Sequence, residues 1–336
     1  MLHKYANIAF LLLAWGLSPW SLSAADLEVG RPKLLVSLGA VDRPPAPDSL
    51  SSLTYVSNGV YWAATDWNPE LFELRVDLAA DGTPEKLEIT RKCALLGGKD
   101  VEGLARDPLR ESVWVADEGL CEVAEYDPAS GKRLSEVALP EILKTTRRTF
   151  GFESLTISSD GLEMWLANEE ALKGDGPVAT TGKGTTVRLV RFTRSSGLSP
   201  WQAAGQWAYV TDGLAGSAPF DSCRSGLSDL CLLADGTLLA LEREYSFKPW
   251  PSLRCRIYVV DRTGATEVSG RASLAPEAPS FVSVRKRLLF DANSGLANFE
   301  GLAPGPVLGE GIRTLVLVSD GGQMMARKLM VVGGSF

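Results

Sequence analysis

"ESLTISSDGLEMWLANE" at positions 153–169 decides how this chain folds, because its plan recurs along the sequence. "SSLTYVSNGVYWAATD" (51–66) and "EGLARDPLRESVWVADE" (102–118) share it: a small or acidic residue, a leucine, a turn, and an aromatic-containing strand that ends on a polar residue. These copies start at 51, 102 and 153, and their polar ends are Asp66, Asp117 and Asn168. A fourth copy, "SDLCLLADGTLLALERE" (228–244), and a fifth, "EGLAPGPVLGEGIRTLVLVSDG" (300–321), follow after longer steps. Turn formers separate the two strands in every copy, as a hairpin requires.

Two more strand-like runs follow each hairpin, such as "LFELRVDL" (71–78) with "KLEITRK" (86–92), and "EVAEYD" (122–127) with "RLSEVAL" (133–139). Four antiparallel strands per unit, repeated at a fixed period, describe the blade of a β-propeller. The expected fold is all-β, a propeller of five to six four-stranded blades closed by N- and C-terminal strands. "PKLLVSLG" (32–39) would supply the strand that the last unit, "QMMARKLMVVG" (323–333), lacks. "PSFVSVRKRLLFDANSG" (279–295) is either part of a sixth blade or an insertion in the fourth. A β-sandwich is the structural alternative, but it would not require a regular step. "PEILKTT" (140–146) is the best candidate for a helical turn, and Trp62, Trp114 and Trp165 read as core.

The first 25 residues carry Lys4, an apolar run from Ile8 to Trp15 and small residues up to Ala25. That is the plan of a cleaved signal peptide, with a run too short to span a bilayer. It implies a periplasmic or secreted protein and leaves 26–336 as a single domain. A net charge of −7 with no basic run argues against nucleic acid or anionic lipid as partner. The only histidine, His3, lies in the leader. Ser-His-Asp hydrolysis, Cys-His chemistry and His-zinc sites are therefore excluded, leaving carboxylates, Lys, Arg, Tyr, Ser or an oxygen-held metal. Five cysteines in an oxidising compartment suggest disulfides, with Cys93–Cys121 and one bridge among Cys223, Cys231 and Cys255 as the expected pairs.

In a propeller the start of strand one and the end of strand two share a rim. That puts Glu102 near Asp117 and Glu118, Glu153 near Asn168 and Glu169, Asp229 near Glu242, and Glu300 near Asp320, with Ser51 and Asp66 from the first unit. Such a ring of acidic and amide oxygens either binds cations or holds protons. Oxygen-only ligands favour Ca²⁺, and the candidate metal ligands are Glu102, Glu153, Asp229, Glu300, Asp117, Asn168 and Asp320. Polar strand ends also serve simply to bond backbone across blades. Arg147, Arg148, Arg224 and Arg243 lie beside the repeats and suit an anionic substrate. Arg148 and Arg224 are the candidate substrate-binding residues. There is no G-x-S-x-G elbow. "GPVATTGKGTT" (176–186) lacks the first glycine of a P-loop and reads as a mobile loop. "YSFKPWPSLR" (245–254) is a turn-rich insertion.

"GFESLTISSDGLEMWLANE", "GLSDLCLLADGTLLALERE" and "NFEGLA…TLVLVSDG" resemble the phytase-like family described as having esterase-like activity, over roughly Ser51 to Asp320. The resemblance implies a secreted bacterial β-propeller that hydrolyses phosphoesters or esters. It points to Glu102, Glu153, Glu242, Glu300 and Arg243 as catalytic, with Asp229 beside them. Similarity to alkaline phytase propellers further implies Ca²⁺ between protein carboxylates and substrate phosphate. Ser51 and Ser228 depart from a full acidic ring. The expected function is thus a Ca²⁺-dependent hydrolase of an anionic small molecule. The alternatives are a non-catalytic, Ca²⁺-stabilised propeller that binds a ligand or protein, and a lactonase-type propeller.

Overall fold

The structure, a computed structural model, describes residues 36–42, 49–147, 150–321, 325 and 327–336. The leader expected at 1–25 and Arg148 lie outside the described residues. Twenty strands form five four-stranded antiparallel sheets, the blades of a β-propeller. Blade 1 holds β2 (Leu50–Ser57), β3 (Val60–Thr65), β4 (Glu70–Leu78) and β5 (Pro84–Ala94). Blade 2 holds β6 (Val101–Asp107), β7 (Ser112–Asp117), β8 (Glu122–Tyr126) and β9 (Arg133–Glu136). Blade 3 holds β10 (Phe152–Ile157), β11 (Glu163–Asn168), β12 (Thr186–Thr193) and β13 (Gln202–Val210). Blade 4 holds β14 (Arg224–Leu232), β15 (Leu238–Phe247), β16 (Pro251–Asp261) and β17 (Arg285–Gly295). Blade 5 runs β18 (Asn298–Pro304), β19 (Arg313–Asp320), β20 (Lys328–Gly334) and then β1 (Val36–Asp42). The N-terminal strand therefore closes the ring by pairing with the C-terminal one.

The blade count is five. The segment 279–295 supplies β17, the outer strand of blade 4, so no sixth blade forms. The unequal steps have local causes. A long connection between β11 and β12 delays blade 4, and an insertion between β16 and β17 delays blade 5. The helical turn is a single 3-10 turn at Glu141–Thr145.

The apolar runs of the second strands are continuous because both faces are covered. In β11, Met164 and Leu166 face the layer shared with blade 2, whereas Trp165 and Ala167 face the layer shared with blade 4. In β3, Tyr61 and Ala63 pack toward blade 5, and Trp62 and Ala64 toward blade 2. Period-two alternation thus feeds two layers at once. The core is five slabs, one between each pair of neighbouring blades.

No disulfide forms among the described residues: all five cysteines are free thiols. Cys93 sits on the outer strand of blade 1, near the Ala129 carbonyl, and Cys121 sits in a blade 2 turn against the Leu143 carbonyl. Cys223, Cys231 and Cys255 are each buried as small apolar side chains. Cys93 and Cys121 belong to different blades, and β15 runs between the strands that carry Cys231 and Cys255.

The loop at 176–186, expected to be mobile, is tied down by hydrogen bonds at several points. Thr180 and Lys183 bond each other's backbone, Gly182 bonds Leu214, and the Thr185 hydroxyl donates to the Pro177 carbonyl. Beneath it Arg188, fully buried on β12, grips Asp175 with two bonds of 2.7 and 2.8 Å. Its remaining donors go to Gln206 and to the carbonyls of Val268 and Arg271, in the insertion of blade 4. One ion pair therefore anchors both long connections. "YSFKPWPSLR" is the tight hairpin joining β15 to β16.

Candidate functional site

The innermost strands β2, β6, β10, β14 and β18 carry a register shift at the same place. One residue in each strand is left without a partner across the hairpin: Ser51, Glu102, Glu153, Ser228 and Glu300. A β-bulge re-aims such a residue, which explains why a carboxylate is tolerated at the entry of a buried strand. The residue after it abuts the next blade. A Cβ on Gly103 would stand 3.0 Å from the Leu155 nitrogen, and one on Gly301 2.9 Å from the Leu53 nitrogen. The recurring Glu-Gly-Leu is thus a bulge carboxylate, a close approach and a core leucine.

The five positions divide by chemistry. The two serines tie blades together: Ser51 donates to the Val101 carbonyl at 2.5 Å, and Ser228 to the Phe299 carbonyl at 3.3 Å. Each of these carbonyls belongs to the residue just before a bulge glutamate. Glu102, Glu153 and Glu300 remain as the acidic bulge residues; charge on Glu300 disfavours ionisation of Glu102, and charge on Glu102 and Glu300 disfavours that of Glu153. Glu153 and Glu300 are almost wholly buried, while Glu102 is half-buried.

Arg243 is the cation of this cluster. It bonds Glu169 at 2.7 Å and lies 3.6 Å from Glu300. Burial alone would weaken its charge, but Glu169, Glu300, Glu153 and Glu102 together hold it firmly protonated. The carboxyls move the other way. Burial, and then neighbouring charge, raises Glu102 and Glu153 well above the ordinary range. Glu300 is pushed up to about 8 by burial, against the pull of Arg243, with Asp320 and Glu169 adding to the rise. Around it, Glu118 and Glu170 are raised to about 7 and Asp100 to about 6, in each case chiefly by burial. Near neutral pH this mouth therefore offers both carboxyl and carboxylate forms within one cluster.

The other expected residues fall in three places. Asp320 faces Asn298 across the β18–β19 ladder and raises Glu300 electrostatically. Arg224 lies 3.4 Å from Glu170 and stacks on Phe150 at the edge of the cluster. Asp117, Asn168 and Asp229 are engaged by backbone. Asp117 accepts the amides of Lys99, Asp100 and Leu120. Asn168 accepts the Arg188 amide and donates to the Glu170 carbonyl. Asp229 accepts the amides of Leu230 and, across to blade 5, Leu302 at 2.7 Å. Glu242 is not brought to Arg243. It shares the parity of Leu238 and Ala240 and faces blade 3, where Tyr209, Lys286 and the Asp212 amide hold it. Glu170, Asp100 and Asn298 join the cluster without having been singled out in the sequence. Each adjoins a repeat, and Asn298 donates directly to Glu300.

The donor chemistry suits a hard cation. Glu169 Oε2, Glu170 Oε2 and one oxygen of Glu153 are buried without a donor, while Glu169 Oε1 and Glu170 Oε1 meet only Arg243 and Arg224. The arrangement is not a ready-made cage: among the described residues no three Asp, Glu, Cys or His side chains converge to hold a metal. A Ca²⁺ ion would need Glu153, Glu169 and Glu170 to turn toward a common point.

Solved structures resemble the chain only distantly. A putative oxidoreductase (glucose dehydrogenase) from Thermus thermophilus aligns at 10% identity over 88% of this chain and 99% of its own, with a TM-score of 0.41. Hydrazine synthase from Kuenenia stuttgartiensis aligns at 9% identity over 86% of this chain, with a TM-score of 0.36. An auxiliary nutrient binding protein from Bacteroides ovatus aligns at 10% identity over 86%, with a TM-score of 0.37. The chain spans 64% and 61% of the lengths of these last two. No curated protein matches it. The profile described as phytase-like, esterase-like activity of phytase, matches residues 48–321. By that match, which takes in all five bulge positions, the chain belongs to the phytase-like family.

Proposed function

We propose that this protein is a hydrolase of small phosphoester or ester substrates, working at the carboxylate-lined mouth of its central channel. The observation that carries this reading is the common bulge that turns Glu102, Glu153 and Glu300 toward one another beside Arg243. Glu300, raised only to about 8 beside Arg243, would once ionised take a proton from water as general base. Glu153 or Glu102, held protonated by burial, would donate one to the leaving oxygen. Arg243 would stabilise the developing negative charge, with Arg224 at the edge of the cluster drawing the anionic substrate in. Ca²⁺ is the cation this oxygen-only set would take, held by Glu153 and by the Oε2 atoms of Glu169 and Glu170. It would neutralise the carboxylates and polarise a bound phosphate or carbonyl. Export to the periplasm or beyond is inferred from the leader-like first 25 residues.

A second reading has its own support. Ser51, Ser228 and Asp229 bond across blades, and the Arg243 cluster would then be a structural pin in a ligand-binding propeller. A panel of phosphomonoesters, phosphodiesters, carboxylic esters and lactones, assayed with Ca²⁺ and with chelator, separates the two. The hydrolase turns over at least one class with a bell-shaped pH profile. No turnover on any class, with or without Ca²⁺, leaves the pin.

A further inference from the structure

The innermost strands of a propeller run in one direction, so the mouth opposite the carboxylates is built from their far ends. A cavity of about 510 Å³ lies there, lined by residues of all five blades, among them Tyr55, Arg106, Ile157, Leu233, Val307 and Phe336. Between Glu102 and Arg106, on β6, the strand advances about 13 Å. The cavity is therefore separate from the acidic cluster. Its walls are mainly aliphatic and aromatic, within the usual volume of small-molecule sites.

Two arginines set its polarity. Arg106 gives Nη2 to Glu111 at 2.6 and 2.8 Å, while its Nε, inside the wall, has no partner. Glu111 is itself two-thirds exposed, so this pairing is weak and screened. Arg313 bonds Asp235 at 2.6 Å and lies over the ring of Phe336. Both partner acids lie toward solvent, so an acidic group entering the cavity exchanges one hydrated carboxylate for another at Arg106. We propose that this cavity is a second, non-catalytic binding site for an amphipathic small molecule with an apolar acyl or aromatic body and one acidic head. The body fills the space between Ile157, Leu233 and Val307, and the head meets Arg106.

Fluorescence titration of the full chain with 8-anilinonaphthalene-1-sulfonate, an aromatic anion, tests this directly. N-phenyl-1-naphthylamine serves as its uncharged counterpart. Saturable binding of one probe molecule per chain is expected under conditions where the protein stays folded by thermal melt. Val307→Trp alters an exposed wall residue and should lower affinity for both probes at least tenfold. Arg106→Met should weaken the anionic probe about five- to tenfold and leave the neutral one unchanged. Absence of saturable binding, or unchanged affinity in Val307→Trp, overturns the site. Equal loss of both probes in Arg106→Met overturns the acidic-head assignment. None of these outcomes depends on hydrolysis at the other mouth.

Discussion

Replacing Arg243 with methionine removes the cation that bonds Glu169 at 2.7 Å and lies 3.6 Å from Glu300. The side chain is 16% exposed and that of Glu169 not at all. Attraction across such a contact is on the order of 6 kcal/mol at an effective dielectric of about 20, before desolvation offsets part of it. Stripping one partner from a buried pair costs about 3–5 kcal/mol, so Arg243→Met should lose that much at pH 8.5. At pH 5.5 Glu300, whose carboxyl titrates at about 8, is already protonated. The same substitution should then cost less, by up to about half, because the Glu169 contact remains. Urea unfolding at the two pH values measures both, and the drop in melting temperature should be about 10 °C at the higher pH. Arg243→Met with Glu169→Gln removes the orphaned charge and should recover at least half the loss. A penalty below about 1 kcal/mol at both pH values, or one that does not depend on pH, would refute the claim that Arg243 holds the cluster together.

Other consequences are as specific. Glu300, Glu118, Glu170 and Asp100 titrate in the folded protein at about 8, 7, 7 and 6, all above their ordinary values. A raised carboxyl favours folding below its unfolded pKa, and that contribution is lost as pH rises through the folded one. The melting temperature should therefore fall from pH 6 to pH 9 in chelator, and added Ca²⁺ should restore more at pH 8.5 than at pH 5.5. Asp175→Asn leaves Arg188 buried without its anion and should cost about 3–5 kcal/mol in urea unfolding. Limited proteolysis of that variant should cut first in 170–185 or 262–284. Gly301→Ala forces a Cβ to within 2.9 Å of the next blade's backbone and should cost about 1–3 kcal/mol. Ser51→Ala removes a buried cross-blade bond and should cost about 1 kcal/mol.

Much of the fold was legible because the repeat carries two signals at once. Its fixed step named the blade, and the unbroken apolar runs around Trp62, Trp114 and Trp165 announced strands covered on both faces. The extra strand from 32–39 followed from counting strands in the last unit, and the structure pairs β1 with β20. The rim position was legible too, because Ser51, Glu102, Glu153, Ser228 and Glu300 start the five copies. The bulge that turns them inward was not, since a register shift leaves no mark beyond the small residue that follows. Parity explains the position of Glu242. Its adjacency to Arg243 in sequence suggested a shared site, yet neighbours along a strand point to opposite faces. Disulfides were expected from compartment and count, but pairing depends on strand order and register: Cys231 and Cys255 share a core layer with β15 between their strands and stay free. The anchoring of the 176–186 loop hung on Arg188 and Asp175, which sequence alone gives no reason to couple.

The central claim is that the bulge glutamates act together on a substrate rather than merely packing the ring. The most direct measurement is kcat/KM of Glu153→Gln on whichever panel substrate the wild-type chain turns over, beside its urea midpoint. Glutamine keeps the shape and removes only the ionisable carboxyl and its proton. The account predicts a fall in kcat/KM of at least a hundredfold, with the midpoint unchanged or raised as repulsion from Glu169 and Glu102 is relieved. Wild-type turnover that persists in Glu153→Gln within a factor of about three would contradict it.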